Sequence, residues 1–135
     1  MTRNPQQFRQ TFALHYVDEF YWTDSKNVDI KSLFNENSNN LAKEFFNSQR
    51  TVYNLTTEKT LGGSKYLDRL EIKVTPPRPT ATVSHNITQT LKGPTSLREI
   101  IDNGSLKDIL SVAHQRNKDL LNDILQDDIK KLINL

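Results

Sequence analysis

The chain has 135 residues, no cysteine and a formal net charge of only +2. Its length is typical of a single domain, and a chain without cysteine cannot form disulfides, thiolate metal sites or a cysteine nucleophile. The small net charge does not provide the basic excess that is typical of nucleic-acid-binding domains. The N-terminal residues are polar, and no run approaches the roughly 18 apolar residues of a membrane span, so we expect a cytoplasmic protein without a membrane partner.

The first fifty residues carry patterns that are typical of helices. Asn4-Pro5-Gln6-Gln7 has the residue types of a helix start, in which Asn caps, Pro takes the first helical position and Gln completes a capping box. Aromatic residues then recur at every fourth position from 8 to 20, which predicts a helix over about 5–21, although the same stretch also fits the period of two of a strand. Further short helices are predicted after Asp29 and from Asn40 to about Arg50.

The middle of the chain changes from a helical period to a period of two. Residues 51–61 and 64–74 flank Gly62-Gly63, and such a glycine pair predicts a two-residue hairpin turn, because these turns need positive φ. With Leu61 placed opposite Ser64, one face of the hairpin is apolar and the other is mostly polar, as a sheet with one solvated face requires.

A third strand is predicted over about Thr80–Leu91. It follows Thr75-Pro76-Pro77-Arg78-Pro79, which must leave the sheet because proline cannot donate to a ladder. Together these patterns predict an α+β fold with N-terminal helices, a three-stranded antiparallel β-meander and a C-terminal helical segment. The expected organisation is an α+β domain over 1–94, with helices at about 5–50 and the sheet at about 51–91. It is followed by a helical C-terminal segment over 95–135 that docks on the same domain or on a partner.

The strongest helical signals lie after residue 95. Ser96-Leu97-Arg98-Glu99 and Ser105-Leu106-Lys107-Asp108 are two capping signatures in series, and Asn103-Gly104 predicts the end of the first short helix. The apolar residues from Leu106 to Ile124 then fall on one stripe of a helical wheel. Beyond Gln126 they change face, which predicts a kink or a new short helix.

The leading functional prediction rests on this apolar stripe. Asn117 lies in its middle, and a lone polar residue in such a stripe is typical of a helical interface whose alignment it fixes. The other interpretation is that Asn117 bonds within its own domain. We therefore predict a non-enzymatic structural or assembly protein that contacts copies of itself or other subunits, and the asparagine-rich, cysteine-free composition would suit a phage or viral particle. The predicted interface residues are Leu106, Leu110, Ala113, Asn117, Leu120, Leu121 and Ile124.

Two other functions stay open. A small nucleic-acid-binding or regulatory protein would use the basic hairpin 51–74, in which an aromatic residue accompanies the cations, although Glu58, Asp68 and Glu71 interleave. The residues of that hypothesis are Lys59, Lys65, Tyr66, Arg69, Lys73 and Arg78. The second alternative is an enzyme whose site is not visible in sequence. The sequence has neither a nucleophile elbow nor a metal-ligand spacing, so no catalytic residue, metal or cofactor is predicted.

Overall fold

The fold is α+β, with one antiparallel sheet in the strand order β1-β4-β3-β2 and a long helix, α3, packed on one of its faces. The computed structural model describes residues 11–23, 29–47, 53–63, 65–75, 80–91 and 96–135. The strands are β1 (Thr11–Tyr21), β2 (Tyr53–Leu61), β3 (Tyr66–Thr75) and β4 (Thr80–Thr90). The helices are α1 (Lys43–Asn47), α2 (Leu97–Asp102), α3 (Ser105–Ile124) and α4 (Asp127–Leu132), and a 3-10 turn covers Ile30–Ser32.

Residues 11–21 form a strand, so the helix predicted over about 5–21 is wrong for the described part of that range. β1 pairs with β4 in one uninterrupted antiparallel register, from Thr11 opposite Thr90 through to Tyr21. A spacing of four brings aromatic residues to one side of a strand as well as to one side of a helix, because four is a multiple of two. The positions between the aromatic residues distinguish the strand from the helix, since the side chains of β1 alternate between exposed and partly buried along the whole strand. The predicted helix start at 4–7 lies outside the described residues.

The sheet has four strands, whereas three were predicted, because β1 joins the meander of β2, β3 and β4. β4 matches the predicted third strand but lies between β1 and β3, so it is a central strand. This position explains why Ala81, Val83 and Ile87, which share one side of β4, are all 0% exposed. β1 and β2 form the two opposite edges, and the 3-10 turn and α1 lie in the connection between them.

The β2–β3 hairpin has a longer connection than predicted. Leu61 pairs with Tyr66 and not with Ser64, while Gly62 and Gly63 adopt the positive φ that the sequence predicted, at 59° and 63°. The register is thereby displaced by two residues. Because side chains alternate with a period of two, the predicted apolar and polar faces are nevertheless preserved.

The core lies between α3 and one face of the sheet, here called the covered face. Ile109 and Ala113 of α3 are 0% exposed and pack in one cluster with Ile87. Further along the helix, Leu120 packs in a second cluster with Ile72 of β3. Full burial of one large aliphatic side chain contributes about 1.5–3 kcal/mol, so the apolar side of α3 fixes this helix on the sheet.

The C-terminal helices begin and end close to the predicted positions. Ser96 caps α2 by accepting a hydrogen bond from the Glu99 N–H at 3.2 Å, and Gly104, at a φ of 79°, precedes α3. The predicted break after α3 is confirmed: Leu125 is extended, forms a β-bridge with Phe34, and is followed by α4. Phe34 and Leu125 are both 0% exposed, so the break places a second apolar contact in the core.

The segment before β2 partly follows the predictions. Asp29 caps the 3-10 turn by accepting a hydrogen bond from the Lys31 N–H at 3.0 Å. The helix predicted from Asn40 to about Arg50 is α1, which is shorter, and its Phe45 is buried in the core. This segment therefore adds its apolar side chains to the covered face.

The buried Leu125 is expected to be far more sensitive to truncation than the exposed Leu132. Leu125→Ala removes a side chain that is 0% exposed, and the lost burial and the new cavity should lower the free energy of unfolding by about 2–5 kcal/mol. Leu132 is 78% exposed, so Leu132→Ala should change this free energy by no more than about 0.5 kcal/mol. Urea denaturation of both variants measures the difference, and equal losses would contradict the packing of Leu125.

Candidate functional site

A cluster of four polar side chains lies between α3 and the middle of the sheet. The imidazole of His85 contacts Asp68 through Nε2 and Oδ1 at 2.5 Å and Asn117 through Nδ1 and Oδ1 at 3.0 Å. Arg116 Nε donates to the other carboxylate oxygen of Asp68 at 2.6 Å. His85 is 1% exposed and Asp68 is 3% exposed, so this polar cluster is enclosed by the apolar core.

Sequence reasoning identified Asn117, and the position of His85 on the apolar side of its strand predicted a hydrogen-bonded structural role for it, but the parts of Asp68 and Arg116 in the cluster were missed. Leu70 of β3 pairs with His85 of β4, which makes Asp68 and His85 diagonal neighbours on the covered face. Arg116 and Asn117 are consecutive on the side of α3 that faces them. A signal for Asp68 was present, because this carboxylate interrupts the apolar alternation that continues at Leu70.

Asp68 is held in its charged form by its partners. Burial raises the pKa of this carboxyl, but the hydrogen bonds and charges of His85 and Arg116 outweigh burial and hold the pKa of Asp68 below its ordinary value. A buried charge without such partners would be strongly destabilising. The ion pair with Arg116 is therefore present throughout the neutral pH range.

The polar cluster does not have the arrangement of an acyl-transfer site. A general base needs a ring nitrogen that faces the reacting group, and both ring nitrogens of His85 are occupied by Asp68 and Asn117. The group beside Nδ1 is an amide, whereas nucleophilic catalysis needs a hydroxyl or a thiol. With an exposure of 1%, His85 is also out of reach of a substrate. This geometry supports a structural role, in which the cluster orients α3 on the sheet.

A second polar contact ties the loop before α1 to the end of α3. The carboxylate of Asp123 accepts hydrogen bonds from the Ser38 hydroxyl, from Asn40 Nδ2 at 2.7 Å and from the Asn39 N–H at 3.3 Å. Burial raises the pKa of Asp123, but these hydrogen bonds outweigh burial and hold it below its ordinary value. Residues 38–40 are thus anchored to the helix and do not form a free loop.

An apolar groove opens where the end of β1 meets α4. Its volume is about 300 Å³. Leu33 in its lining is 3% exposed, whereas Tyr21 and Leu132 are 70% and 78% exposed. Trp22 Nε1 donates to Ser32 Oγ at 3.1 Å, which fixes the indole ring in the wall. The residues that line the apolar groove are Phe20, Tyr21, Trp22, Ser32, Leu33, Ile129, Leu132 and Ile133.

The predicted interface stripe of α3 faces mainly the core of the same chain. Its buried members, none of them more than 5% exposed, are Ala113, Leu120, Leu121 and Ile124. Asn117 contacts His85, which matches the interpretation that it bonds within its own domain. Leu106 is partly buried, and Leu110 is 45% exposed. Of this stripe, Leu110 is therefore the side chain most accessible to a partner.

The basic residues of the hairpin do not share one surface. Tyr66 points to the covered face and is 6% exposed, so its ring is not available for stacking on a base. Lys65 lies beside it, with Nζ 5.3 Å from the centroid of the Tyr66 ring. Lys59 Nζ donates to Asn40 Oδ1 at 3.3 Å. Arg78 lies outside the described residues.

Arg69 and Lys73 lie on the open face of the sheet, which is the face opposite α3. Arg69 is 3.6 Å from carboxylate oxygens of both Glu58 and Glu71, and Lys73 Nζ is 2.8 Å from Glu71. The hydrogen bond from Lys73 holds the pKa of Glu71 below its ordinary value. With Glu19, the described strand residues of this face supply two cations and three carboxylates. Such a surface does not favour a phosphate backbone.

Neither a protein-family model, nor a curated protein, nor a solved structure matches this chain. Among the residues that the structure describes, no three or more His, Cys, Asp or Glu side chains are grouped to hold a metal ion. In the same part of the chain, no helix is long and apolar enough to cross a membrane. A function must therefore be argued from the surfaces of the chain itself.

Removing the charge of Asp68 is expected to destabilise the fold strongly. Asp68→Asn leaves Arg116 without its carboxylate at a site where the Asp68 side chain is 2% exposed, so we expect a loss of about 3 kcal/mol in the free energy of unfolding. Asp102→Asn is the matched control, because its ion pair with Arg98 is 3.8 Å long and exposed, and it should cost no more than about 0.5 kcal/mol. If urea denaturation gave the two variants equal stability, the structural role of the polar cluster would be refuted.

Acid is expected to destabilise the protein through Asp68 and Asp123. Both pKa values are lowered in the folded chain, whereas unfolded aspartate titrates near a pKa of about 3.9. The unfolded state therefore binds these protons more readily. Their contribution to stability is complete above the unfolded pKa and is lost as the pH falls through the lower folded pKa. Asp18 has the opposite effect on the pH dependence of stability. Burial raises its pKa, so protonation relieves the cost of burying its charge.

Urea midpoints measured from neutral to acidic pH test this expectation. The midpoint should be nearly constant at neutral pH and should fall below about pH 4. The fall should be smaller in Asp123→Asn, which has no carboxyl to protonate at that position. A midpoint that rises on acidification would show that Asp18, and not the Asp68 and Asp123 pair, controls the acid response.

Proposed function

We propose that this protein is a non-enzymatic assembly subunit that binds another protein through the apolar groove. The observation that carries the proposal is the exposure of apolar groups at one concave surface. Tyr21, Leu132 and Ile133 are 70%, 78% and 39% exposed, and all three line the same groove. A contiguous exposed apolar patch of this kind is typical of an interaction site.

The groove is built on parts of the fold that hold each other in place. Gln126, which precedes α4, donates its backbone N–H to the Leu33 carbonyl at 2.9 Å. Its side-chain Nε2 donates to the carbonyls of Lys31 at 3.0 Å and Phe34 at 3.2 Å. These bonds tie α4 to the 3-10 turn, so both walls of the groove are fixed before a partner arrives. A preformed site of this kind lowers the entropic cost of binding.

The chemistry of the lining suits an apolar segment of a protein partner. Tyrosine and tryptophan are enriched among the residues that dominate protein interfaces. The Ser32 hydroxyl in the lining already donates to the Asp29 carbonyl at 2.6 Å and accepts from Trp22. The groove therefore offers apolar area more than free hydrogen-bond partners, and each large aliphatic side chain buried in it would contribute about 1.5–3 kcal/mol. An amphipathic helix of the partner fits this description.

The setting that we propose for this subunit is a phage or viral particle assembled in a cytoplasm. The support is compositional: the chain is rich in asparagine and free of cysteine. Nucleic-acid binding by the hairpin is less well supported, because Tyr66 is buried and the open face has no excess of cations. An enzymatic role has no comparable support, because the buried His85 has no free ring nitrogen.

A photoreactive benzoylphenylalanine at position 132 is expected to crosslink the protein to its partner. Leu132 is 78% exposed, so the substitution leaves the core intact and places the probe in the groove. Irradiation of cells that naturally make the chain, followed by mass spectrometry, should give one or a few discrete protein products. The same probe at Lys118, which is exposed on α3, should give none.

A charge in the groove provides the second half of this test. With the probe moved to Tyr21, the additional change Leu132→Asp should remove the product, because a carboxylate would have to be desolvated in the interface. Leu132→Met keeps the groove apolar and should preserve it. Equal crosslinking from Lys118, or a product that Leu132→Asp leaves unchanged, would contradict binding through the groove.

A further inference from the structure

We propose that two copies of this chain pair antiparallel along the free edges of their β1 strands, which joins their sheets into one continuous sheet. The proposal rests on the proposed function only in treating the protein as an assembly subunit. It concerns the edge of β1, which meets the groove at Phe20 and Tyr21, and it names the partner as a second copy. Three observations support it: an edge without proline, lysine or a bulge, incompletely buried side chains on β1, and complementary chemistry along the strand.

β1 is a regular edge strand that lacks three of the features that commonly block further pairing, namely proline, lysine and a bulge. Its 11 residues, TFALHYVDEFY, contain neither proline nor lysine, and their uninterrupted register with β4 contains no bulge. Prolines, lysines and bulges are among the means by which proteins protect a sheet edge, and the charges that β1 does carry are the carboxylates of Asp18 and Glu19. No described strand pairs with the outer side of β1. Within the described part of the chain, the backbone N–H and C=O groups on that side have no strand partner.

The opposite edge of the sheet is better protected. β2 carries a lysine, Lys59, which β1 lacks, and Lys59 is held by Asn40. The ring of Phe45 also packs edge-on against Tyr53, with 5.8 Å between the centroids. Of the two edges, β1 is thus the one suited to strand addition.

The core-facing side chains of β1 are incompletely covered within one chain. On the neighbouring β4, Val83 and Ile87 are 0% exposed, whereas every core-facing residue of β1 is only partly buried. The large apolar members of that set are Phe12, Leu14, Tyr16 and Phe20. Aromatic side chains stabilise an interface through the area that they remove from water. A second β1 strand would supply the neighbour that these side chains lack.

The side chains of β1 complement each other when the two strands pair about Val17. This register places Leu14 opposite Phe20 of the second copy, which is an apolar pair. It places His15, with an imidazole donor, opposite the carboxylate of Glu19 of the second copy, and such cross-strand pairs stabilise a sheet. Val17, which is 53% exposed, meets its own counterpart on the two-fold axis, as a symmetric dimer requires.

The same register provides a neighbour for Asp18. This carboxylate faces the covered side of β1 and is partly buried, yet it forms no hydrogen bond or ion pair with any described residue. Burial accordingly raises its pKa. A partly buried carboxylate without a partner lowers the stability of the single chain. Pairing about Val17 places Tyr16 of the second copy, which carries a hydroxyl donor, opposite Asp18.

The variant Val17→Lys tests the pairing. The exposed Val17 side chain tolerates lysine in the single chain, but two lysines would meet on the two-fold axis, and like charges in opposite positions destabilise a strand pair. Analytical ultracentrifugation of the full chain should show a dimer in the micromolar range and a dimerisation weakened at least about tenfold in Val17→Lys. Val17→Thr is β-branched and uncharged, so it should dimerise like the natural chain. Circular dichroism confirms that both variants are folded.

Single cysteines report the register, since the natural chain has none. Val17→Cys places two thiols opposite each other, where the Cα separation of an antiparallel pair, about 4.5–5.5 Å, is within the range of a disulfide. Ala13 lies on the same face but would stand opposite Tyr21 of the second copy. Two Ala13→Cys thiols would then be roughly 27 Å apart along the strands. Oxidation should crosslink Val17→Cys into a dimer and should leave Ala13→Cys uncrosslinked.

Three results would overturn the strand pairing: a monomer at every concentration, a dimer that Val17→Lys does not weaken, or equal crosslinking of the two cysteine variants. None of these results affects the groove, which is tested by the crosslink from Leu132 and by its loss on charge substitution. A dimer that depends on Val17, together with no crosslink from the groove, would refute the proposed function and leave the strand pairing in place.

Discussion

The charge of Asp68 must be balanced inside the core before α3 can pack on the sheet. Arg116 neutralises this carboxylate and His85 donates to it, while Asn117 holds the opposite side of the imidazole. The polar cluster therefore joins β3, β4 and α3 at fixed points, whereas apolar contacts alone are not directional. Everything that follows α3 depends on this placement, because α4 begins after a single break and forms one wall of the apolar groove.

The two faces and the two edges of the sheet are used differently. The covered face is filled by α3 and by the segment before β2, whereas the open face is mostly polar and carries the ion pairs of Arg69 and Lys73. The edge at β2 carries Lys59 and lies beside Phe45, whereas the edge at β1 has no lysine and ends in the groove residues Phe20–Trp22. The two surfaces that we propose for protein partners lie along β1 and beside α4, and a second copy paired along β1 would lie next to the groove.

Much of the local structure could be predicted because it depends on neighbouring residues. Caps at Asp29 and Ser96, the positive φ of Gly62 and the break after α3 follow from side chains within a few positions of each other. The faces of the hairpin were also predictable, although its register was not, since a displacement by two residues preserves the alternation. The candidate site was harder to predict from the sequence. The groove combines β1, the 3-10 turn and α4, which are far apart in sequence, and no local pattern reports that they meet.

The sequence by itself determined the α+β class, the hairpin, the third strand and the C-terminal helices with their break. Only the tertiary structure decided that residues 11–21 are a strand and that Asn117 forms a contact within its own chain. The physical reason is the same in both cases. Aromatic residues at a spacing of four suit a helix and a strand equally, so the free energy of pairing with a distant strand, β4, selects between them. An amide in an apolar stripe suits an intermolecular and an internal contact equally, and the position of His85, 32 residues away, makes the internal contact the one that forms.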